Sequence, residues 1–283
     1  MEPGVPVLCH CHWQAKPAEA LTVILVHGLE GSSDSAYARG IAAKGMAAGM
    51  NVVRMNQRNC GGTDRLAPTL YHSGRSQDVR RVAETLLKEM GLSRLALAGF
   101  SMGGNLVLKL AGELGDTGLP QVKAVAAVCP AMDLGPSADA LHLPGNRVYE
   151  YYFLWKLRQR LKCKARFFPD HFDVKRGSGV RTLREFDDRV TAYYCGFEGA
   201  EDYYQRSSSS RVLEQIRVPT FILHAANDPF IRILSETRTK IAANPKITFH
   251  ETSDGGHCSF RAERDGYDGH WAEREVVEFL RQF

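Results

Sequence analysis

The 283-residue sequence predicts an α/β fold: a mostly parallel central sheet flanked by helices, with a helical cap insertion in its second half. Three observations carry this. Short apolar, β-branched runs recur at Leu21–Val26, Asn51–Met55, Leu95–Ala98, Val122–Val128, Thr220–His224 and Ile247–Glu251. Most are continuous rather than alternating, as in strands buried on both faces. Helical stretches separate them everywhere except between Gly135 and Arg211, where the alternation breaks for far longer than an ordinary connection.

Taken in order, Val5 to Trp13 reads as a short edge strand. The run Leu21–Val26 leads straight into His27-Gly28-Leu29-Glu30-Gly31. Ala36–Ala48 is a small-residue helix ending near Gly49, and Asn51–Met55 is the next strand. The loop Asn59-Cys60-Gly61-Gly62-Thr63 lacks the lysine and spacing of a phosphate-binding loop, so no nucleotide site is read there. A helix from Ser76 or Asp78 to Met90 is closed by Gly91. Leu95–Ala98 precedes Gly99-Phe100-Ser101-Met102-Gly103, and a helix covers Gly104–Leu110. Val122–Val128 ends at Cys129-Pro130.

The insertion shifts composition. Tyr149, Tyr151, Tyr152, Phe153 and Trp155 crowd together, followed by Lys156, Arg158, Arg160, Lys162, Lys164 and Arg166. Such a stretch either covers a hydrophobic pocket or leans on an anionic surface. The preferred reading packs the aromatics inward and solvates the lysines and arginines. The serine run Ser207–Ser210 marks a loop at the end of the insertion. Thr220–His224 then runs into Ala225-Ala226-Asn227-Asp228-Pro229. A helix over Arg232–Ala243, a strand over Ile247–Glu251, the loop Gly255-Gly256-His257 and a helix over Trp271–Phe283 complete the chain. The expected division is a core of 1–134 and 212–283 with a cap of 135–211.

The stretch that organises the chemistry is Gly99-Phe100-Ser101-Met102-Gly103, a G-x-S-x-G between a strand and a helix. The turn is so tight that the flanking positions must be small, hence Gly99 and Gly103. It lifts the Ser101 hydroxyl off the sheet and aims the Met102 N–H at the same space. His27-Gly28 after the first buried strand is where this architecture builds its other oxyanion donor, the Leu29 N–H. Ser101, Asp228 and His257 fall in the chain order of the α/β-hydrolase triad, each just past a strand end. His257 is the base, and Asp228 holds its tautomer. Rivals fit less well. His224 sits within a strand, and His270 begins the last helix. Asp254 is too near His257 along the chain, and Asp133 follows the strand after the elbow while Asn227-Asp228-Pro229 directly follows the later one.

Composition limits the alternatives. A net charge of +4 with 24% charged residues is ordinary for a globular domain, and no basic run carries a nucleic-acid motif. Seven scattered cysteines, an odd number, read as reduced thiols of a cytoplasmic protein. Met1 to Ala20 does not look like a signal peptide, and no segment approaches the roughly 18–20 apolar residues of a membrane span. The run Cys9-His10-Cys11-His12 does not have zinc-ligand spacing, so no metal is expected there.

These pieces together resemble the YheT-like esterases, family 4 of the α/β-hydrolases, which include animal lipid hydrolases. The resemblance rests on His27-Gly28-Leu29-Glu30-Gly31, Arg58-Asn59-Cys60-Gly61-Gly62, Tyr71-His72-Ser73-Gly74 and Gly99-Phe100-Ser101-Met102-Gly103-Gly104-Asn105. It continues in Glu185-Phe186-Asp187, Asp202-Tyr203-Tyr204, Asn227-Asp228-Pro229-Phe230 and Gly255-Gly256-His257. It implies ester hydrolysis by Ser101, Asp228 and His257 with no metal or cofactor. Only about twenty residues precede the first buried strand, where larger members carry further strands or a membrane anchor. The expected activity is hydrolysis of acyl esters, lipid-like ones included. Amide or thioester hydrolysis by the same triad, or a non-catalytic binding role, are the alternatives. The expected partner is a small acyl ester, with no nucleic acid and with weak membrane contact through the cap.

Overall fold

The computed structural model describes residues 4–283. Its frame is a seven-stranded sheet in the order β1-β3-β2-β4-β5-β6-β7. The strands are β1 (Cys9–His12), β2 (Thr22–Val26), β3 (Asn51–Met55), β4 (Leu95–Phe100), β5 (Val122–Val128), β6 (Thr220–Ala225) and β7 (Ile247–Thr252). Every neighbouring pair is parallel except β1–β3, so one antiparallel strand closes an edge. The edge strand predicted over Val5–Trp13 shortens to β1.

The continuous apolar runs are explained by cover on both faces. Ile24, Val26, Val53, Leu97 and Val125 face one layer, built on α2 (Ser76–Met90) and α3 (Met102–Leu114). Val23, Leu25, Ala96, Ala98 and Ala126 face the other, where α1 (Ala36–Ala47) and α10 (Trp271–Leu280) pack. Gly91 ends α2 at φ 64, the left-handed cap its position predicts. Helix α3 starts two residues earlier than its apolar pattern suggests, because the chain enters it directly from Ser101. The helix α9 runs over Ser235–Ala243 rather than from Arg232. Asp133 holds residues 232–234 extended by accepting from Leu234 N–H and the Thr237 hydroxyl, both at 2.9 Å.

Between β5 and β6 the chain runs through α4 (Leu134–Leu141) and the long α5 (Arg147–Phe167). It continues through α6 (Leu183–Phe186), a π-helical turn (Asp187–Ala192), α7 (Tyr193–Cys195) and α8 (Ala200–Ser207). Leu134, Leu154, Leu157, Leu161, Phe186 and Tyr204 form a cluster of their own over the C-terminal edge of the sheet.

Helix α5 overturns part of the expected placement of its side chains, although Lys162 and Arg166 are exposed as expected. Arg160 and Lys164 point inward, and Lys164 is 0% exposed. The Lys164 ammonium donates to Asn59 Oδ1 and the Asp64 carbonyl, both at 2.9 Å, and to the Ala67 carbonyl. Burial pulls its pKa down to about 8. Phe153 packs inward against Phe230, but other aromatics of the run face outward, with Tyr151 at 71% and Trp155 at 47% exposure. The serine run, expected as a loop, ends α8 and enters a short 3-10 turn, and Ser207 to Ser210 are all buried. Asn105 of α3 clamps it, donating to the Ser207 carbonyl and accepting from Ser209 N–H. No helix of the described residues is long and apolar enough to cross a membrane.

Candidate active site

Ser101 sits between β4 and α3 with φ 54 and ψ −120, a conformation that non-glycine residues hold only under constraint. The constraint is close packing. A Cβ on Gly99 would overlap the Gly103 carbonyl, and one on Gly103 would overlap the Val26 carbonyl. The Ser101 N–H donates to Val128 O at 2.9 Å, and its carbonyl accepts from Asn105 N–H at 3.1 Å. Gly28 approaches the serine from the neighbouring strand, where an added Cβ would stand 3.2 Å from Ser101 Cβ. Its smallness therefore keeps that side of Ser101 uncrowded.

The structure brings Ser101, His257 and Asp228 into one chain of hydrogen bonds. His257 Nε2 lies 2.9 Å from Ser101 Oγ, and His257 Nδ1 lies 2.8 Å from Asp228 Oδ2. The second Asp228 oxygen accepts from the N–H groups of Ile231 (2.9 Å) and Phe230 (3.1 Å). Burial works against the ionised carboxylate, but His257 and these two backbone donors outweigh it and hold the Asp228 pKa below its ordinary value. The Phe230 ring covers the imidazole at a centroid distance of 4.4 Å. Asn227, next to the acid, accepts from Gly256 N–H at 2.8 Å and so sets the loop that carries His257.

The rivals sit elsewhere. His270 pairs with Arg261 and Glu273, and Asp254 accepts from Asn227. Asp133 is occupied at the start of α9. His224 is buried in β6. Cys9, His10, Cys11 and His12 do not converge on a common point.

Around the His27–Gly31 turn, Gly28 N–H donates to Tyr37 OH (3.0 Å) and Glu30 N–H to Tyr71 OH (2.9 Å). Among the described residues, the Leu29 and Met102 N–H groups between and beside them meet no acceptor. His27 fixes the turn from behind. Its Nε2 accepts from Gln57 N–H at 3.1 Å, which leaves Nδ1 to donate to the Gly28 carbonyl at 2.8 Å. Burial drives its pKa down to about 4, so the ring is neutral. Glu30 extends the turn toward α5: its carboxylate binds Arg160 (2.7 and 3.0 Å) and the Tyr71 hydroxyl (2.7 Å). Sequence reasoning saw only an oxyanion turn here. The His-Gly pair was the available signal for the anchor role of His27, whereas Arg160 lies 130 residues from its partner.

Two spaces meet at Ser101. One is an apolar cavity walled by residues such as Met102, Leu134, Leu141, Leu157, Phe230 and Ile231. At its far side Asp187 accepts from Thr191 Oγ1 (2.7 Å) and Tyr204 OH (2.8 Å). The other is an open groove lined by Gly28, Glu30, Tyr152, His257, Arg261 and Glu273.

A mostly parallel sheet with helices on both faces and polar groups gathered at its C-terminal edge is the architecture of an α/β hydrolase. Residues 22–261 match the family model described as the alpha/beta hydrolase fold. The chain belongs to this family, and within it to the YheT-like esterases. It is 31% identical over 278 residues to YheT of Escherichia coli (strain K12), whose name gives it provisionally as an esterase, covering 96% of this chain and 80% of that one. It is 29% identical to the monoacylglycerol lipase of Saccharomyces cerevisiae over 92% of this chain, and 27% identical to the phospholipase ABHD3 of Mus musculus over 84%. The chain spans just under six-tenths of the length of these last two relatives, 59% and 58%. Among solved structures, Est1E from Butyrivibrio proteoclasticus superposes with a TM-score of 0.62 at 14% identity, over 99% of this chain and 95% of that one. That likeness concerns the fold alone. The relatives' names support a hydrolase of ester or lipid class.

Proposed function

We propose that this chain is a serine esterase that hydrolyses lipid-like acyl esters through an acyl-enzyme on Ser101. The observation that supports it most is the continuous relay from Ser101 through His257 to Asp228 at the mouth of an apolar cavity. His257 Nε2 takes the hydroxyl proton as Ser101 Oγ attacks the ester carbonyl. The N–H groups of Leu29 and Met102 stabilise the tetrahedral oxyanion. The imidazolium then gives its proton to the departing alcohol. Water, deprotonated by the same imidazole, releases the acid and restores Ser101. Asp228 keeps Nδ1 protonated and stabilises the imidazolium between the two transfers.

The apolar cavity suits the acyl chain, and the groove with Arg261 and Glu273 suits the alcohol. Residues 135–211 act as the cap that closes this cavity from above. The outward aromatics of α5 border the groove at Tyr152 and supply a weak contact to membrane surfaces. The odd, scattered cysteines support work in a reducing compartment, the cytoplasm.

The test is hydrolysis of p-nitrophenyl esters from acetyl to palmitoyl, with matched thioester and amide substrates and with Ser101→Ala beside the wild type. An optimum at one chain length that falls by roughly four to six orders of magnitude in Ser101→Ala is expected. Near-wild-type turnover by folded Ser101→Ala sinks the assignment, and faster thioester or amide turnover reassigns the substrate.

A further inference from the structure

Cys129 is the first residue past β5, and Cys258 directly follows the base His257. We propose that these two thiols and the His257 ring bind a soft divalent cation of the zinc class, and that the bound ion shuts the site down. The two Sγ atoms and a ring nitrogen of His257 all lie within 4.8 Å of one another. With zinc–sulfur bonds of about 2.3 Å and zinc–nitrogen bonds of about 2.0 Å, tetrahedral ligand atoms stand roughly 3.5–3.8 Å apart. A contraction of no more than about an ångström therefore sets three of the four tetrahedral ligands in place and leaves the fourth position to water.

The convergence is built into the backbone. Cys129 has φ 43 and Cys258 φ 62, the left-handed region that a cysteine occupies only when its surroundings impose it. The thiols brace each other's strand ends: Cys129 Sγ donates to Gly256 O at 3.7 Å, and Cys258 Sγ to Val128 O at 3.8 Å. A second, independent observation lies on the far side of Cys129. His224 and Asp228 also come within 4.8 Å of its sulfur. His224 is 3% exposed, and its Nδ1 has no hydrogen-bond partner among the described residues. A buried imidazole against the Cys129 thiol, with one ring nitrogen unpaired, is a ready donor to a metal or to a group bound to one.

The chemistry of the set selects the ion. Thiolate and imidazole favour zinc and its softer neighbours over magnesium or calcium. Two thiolates and a neutral imidazole balance a divalent charge, so no net charge is buried. Both thiol protons leave to solvent on binding, and affinity rises with pH. Coordination through Nε2 occupies the lone pair that would take the Ser101 proton. Coordination through Nδ1 instead displaces Asp228. Either way the relay stops. Only this inhibitory consequence rests on the esterase reading; binding does not.

The experiment titrates the purified chain with Cd²⁺ alone and follows the thiolate-to-metal absorption. One ion per chain is expected, with affinity at least about tenfold lower in Cys258→Ser and in Cys129→Ser. Cys258 is only partly buried, so its variant decides the question even where Cys129→Ser folds poorly. Zn²⁺ is then expected to inhibit ester hydrolysis reversibly, a chelator restoring it. Sensitivity in each variant, measured against its own zinc-free rate, should shift by the same factor. Absence of the thiolate band, or equal affinity in wild type and both variants, overturns the site. Zinc inhibition unchanged in the cysteine variants overturns the inhibitory mechanism. A variant-sensitive band in a chain without esterase activity upholds the site and removes the proposed function instead.

Discussion

Asp187 is a fully buried carboxylate facing two hydroxyls, those of Thr191 and Tyr204. Burial raises its pKa from 3.8 to about 6, and the hydroxyls and distant Arg184 offset only part of that. Between about pH 4 and pH 6 the folded chain therefore keeps a proton that the unfolded chain releases. Stability from this group is full below pH 4 and falls as pH rises through 6, by about 3 kcal/mol in all. Asp187→Asn should remove that decline and raise stability at pH 7, which urea unfolding at a series of pH values would check. An unchanged profile would mean that Asp187 ionises freely. His27 works in the opposite direction, since its folded pKa of about 4 lies below its ordinary 6.5, and its share of stability is lost as pH falls.

At this scale the sequence was readable where one residue type has one reason to be there. Gly99 and Gly103 are forced by the tight turn around Ser101, where an added Cβ would meet the Gly103 or the Val26 carbonyl, and the order of Ser101, Asp228 and His257 follows from strand ends. It was unreadable where a partner comes from afar. Nothing local announces that Cys129 meets Cys258, or that Asn227 holds the loop before His257.

Helix α5 shows the same limit in an element. An aromatic and basic run looks alike whether its charges face water or the protein. The side that Arg160 and Lys164 take is decided by Glu30, Asp64 and the carbonyls of Asn59 and Ala67, which come from two earlier loops. Once those charges turn inward, Val148, Tyr151, Tyr152 and Trp155 stand together on the outer face at i, i+3, i+4 and i+7. Lys156 lies over both the Tyr152 and Trp155 rings, a pairing suited to an anionic interface. Tyr151→Glu combined with Trp155→Glu should abolish sedimentation with anionic vesicles while sparing hydrolysis of a soluble short-chain ester. Equal recovery of wild type with anionic and neutral vesicles, at low and moderate salt, would remove the lipid contact.

Over the whole molecule, the buried strands and their flanking helices were legible because a strand covered on both faces leaves an unbroken apolar run. The fastening of the insertion was not. It uses several of the motifs around the site: Glu30 on Arg160, Ser73 N–H on Tyr203, and Asn105 on the serine run. These motifs read as chemistry in the sequence, yet here they act as joints between two layers.

The position of the insertion also orders events in time. Strands β5 and β6 are hydrogen-bonded neighbours, but residues 129–219 must be looped out before they meet. Such non-local pairing is slow to form. The cluster around Leu154, Leu157 and Phe186 is more local, and its collapse shortens the loop that β6 must close. In refolding from urea, pulsed hydrogen exchange should find α4 and α5 protected before β6. On the proposed relay, hydrolytic activity should return with the later phase, because Asp228 arrives only when β6 does. Simultaneous protection of α5 and β6 would show that the two layers form together. A slow last strand leaves the serine in place but unactivated in the intermediate, so the chain passes through a folded-looking stage that cannot yet cut a bond.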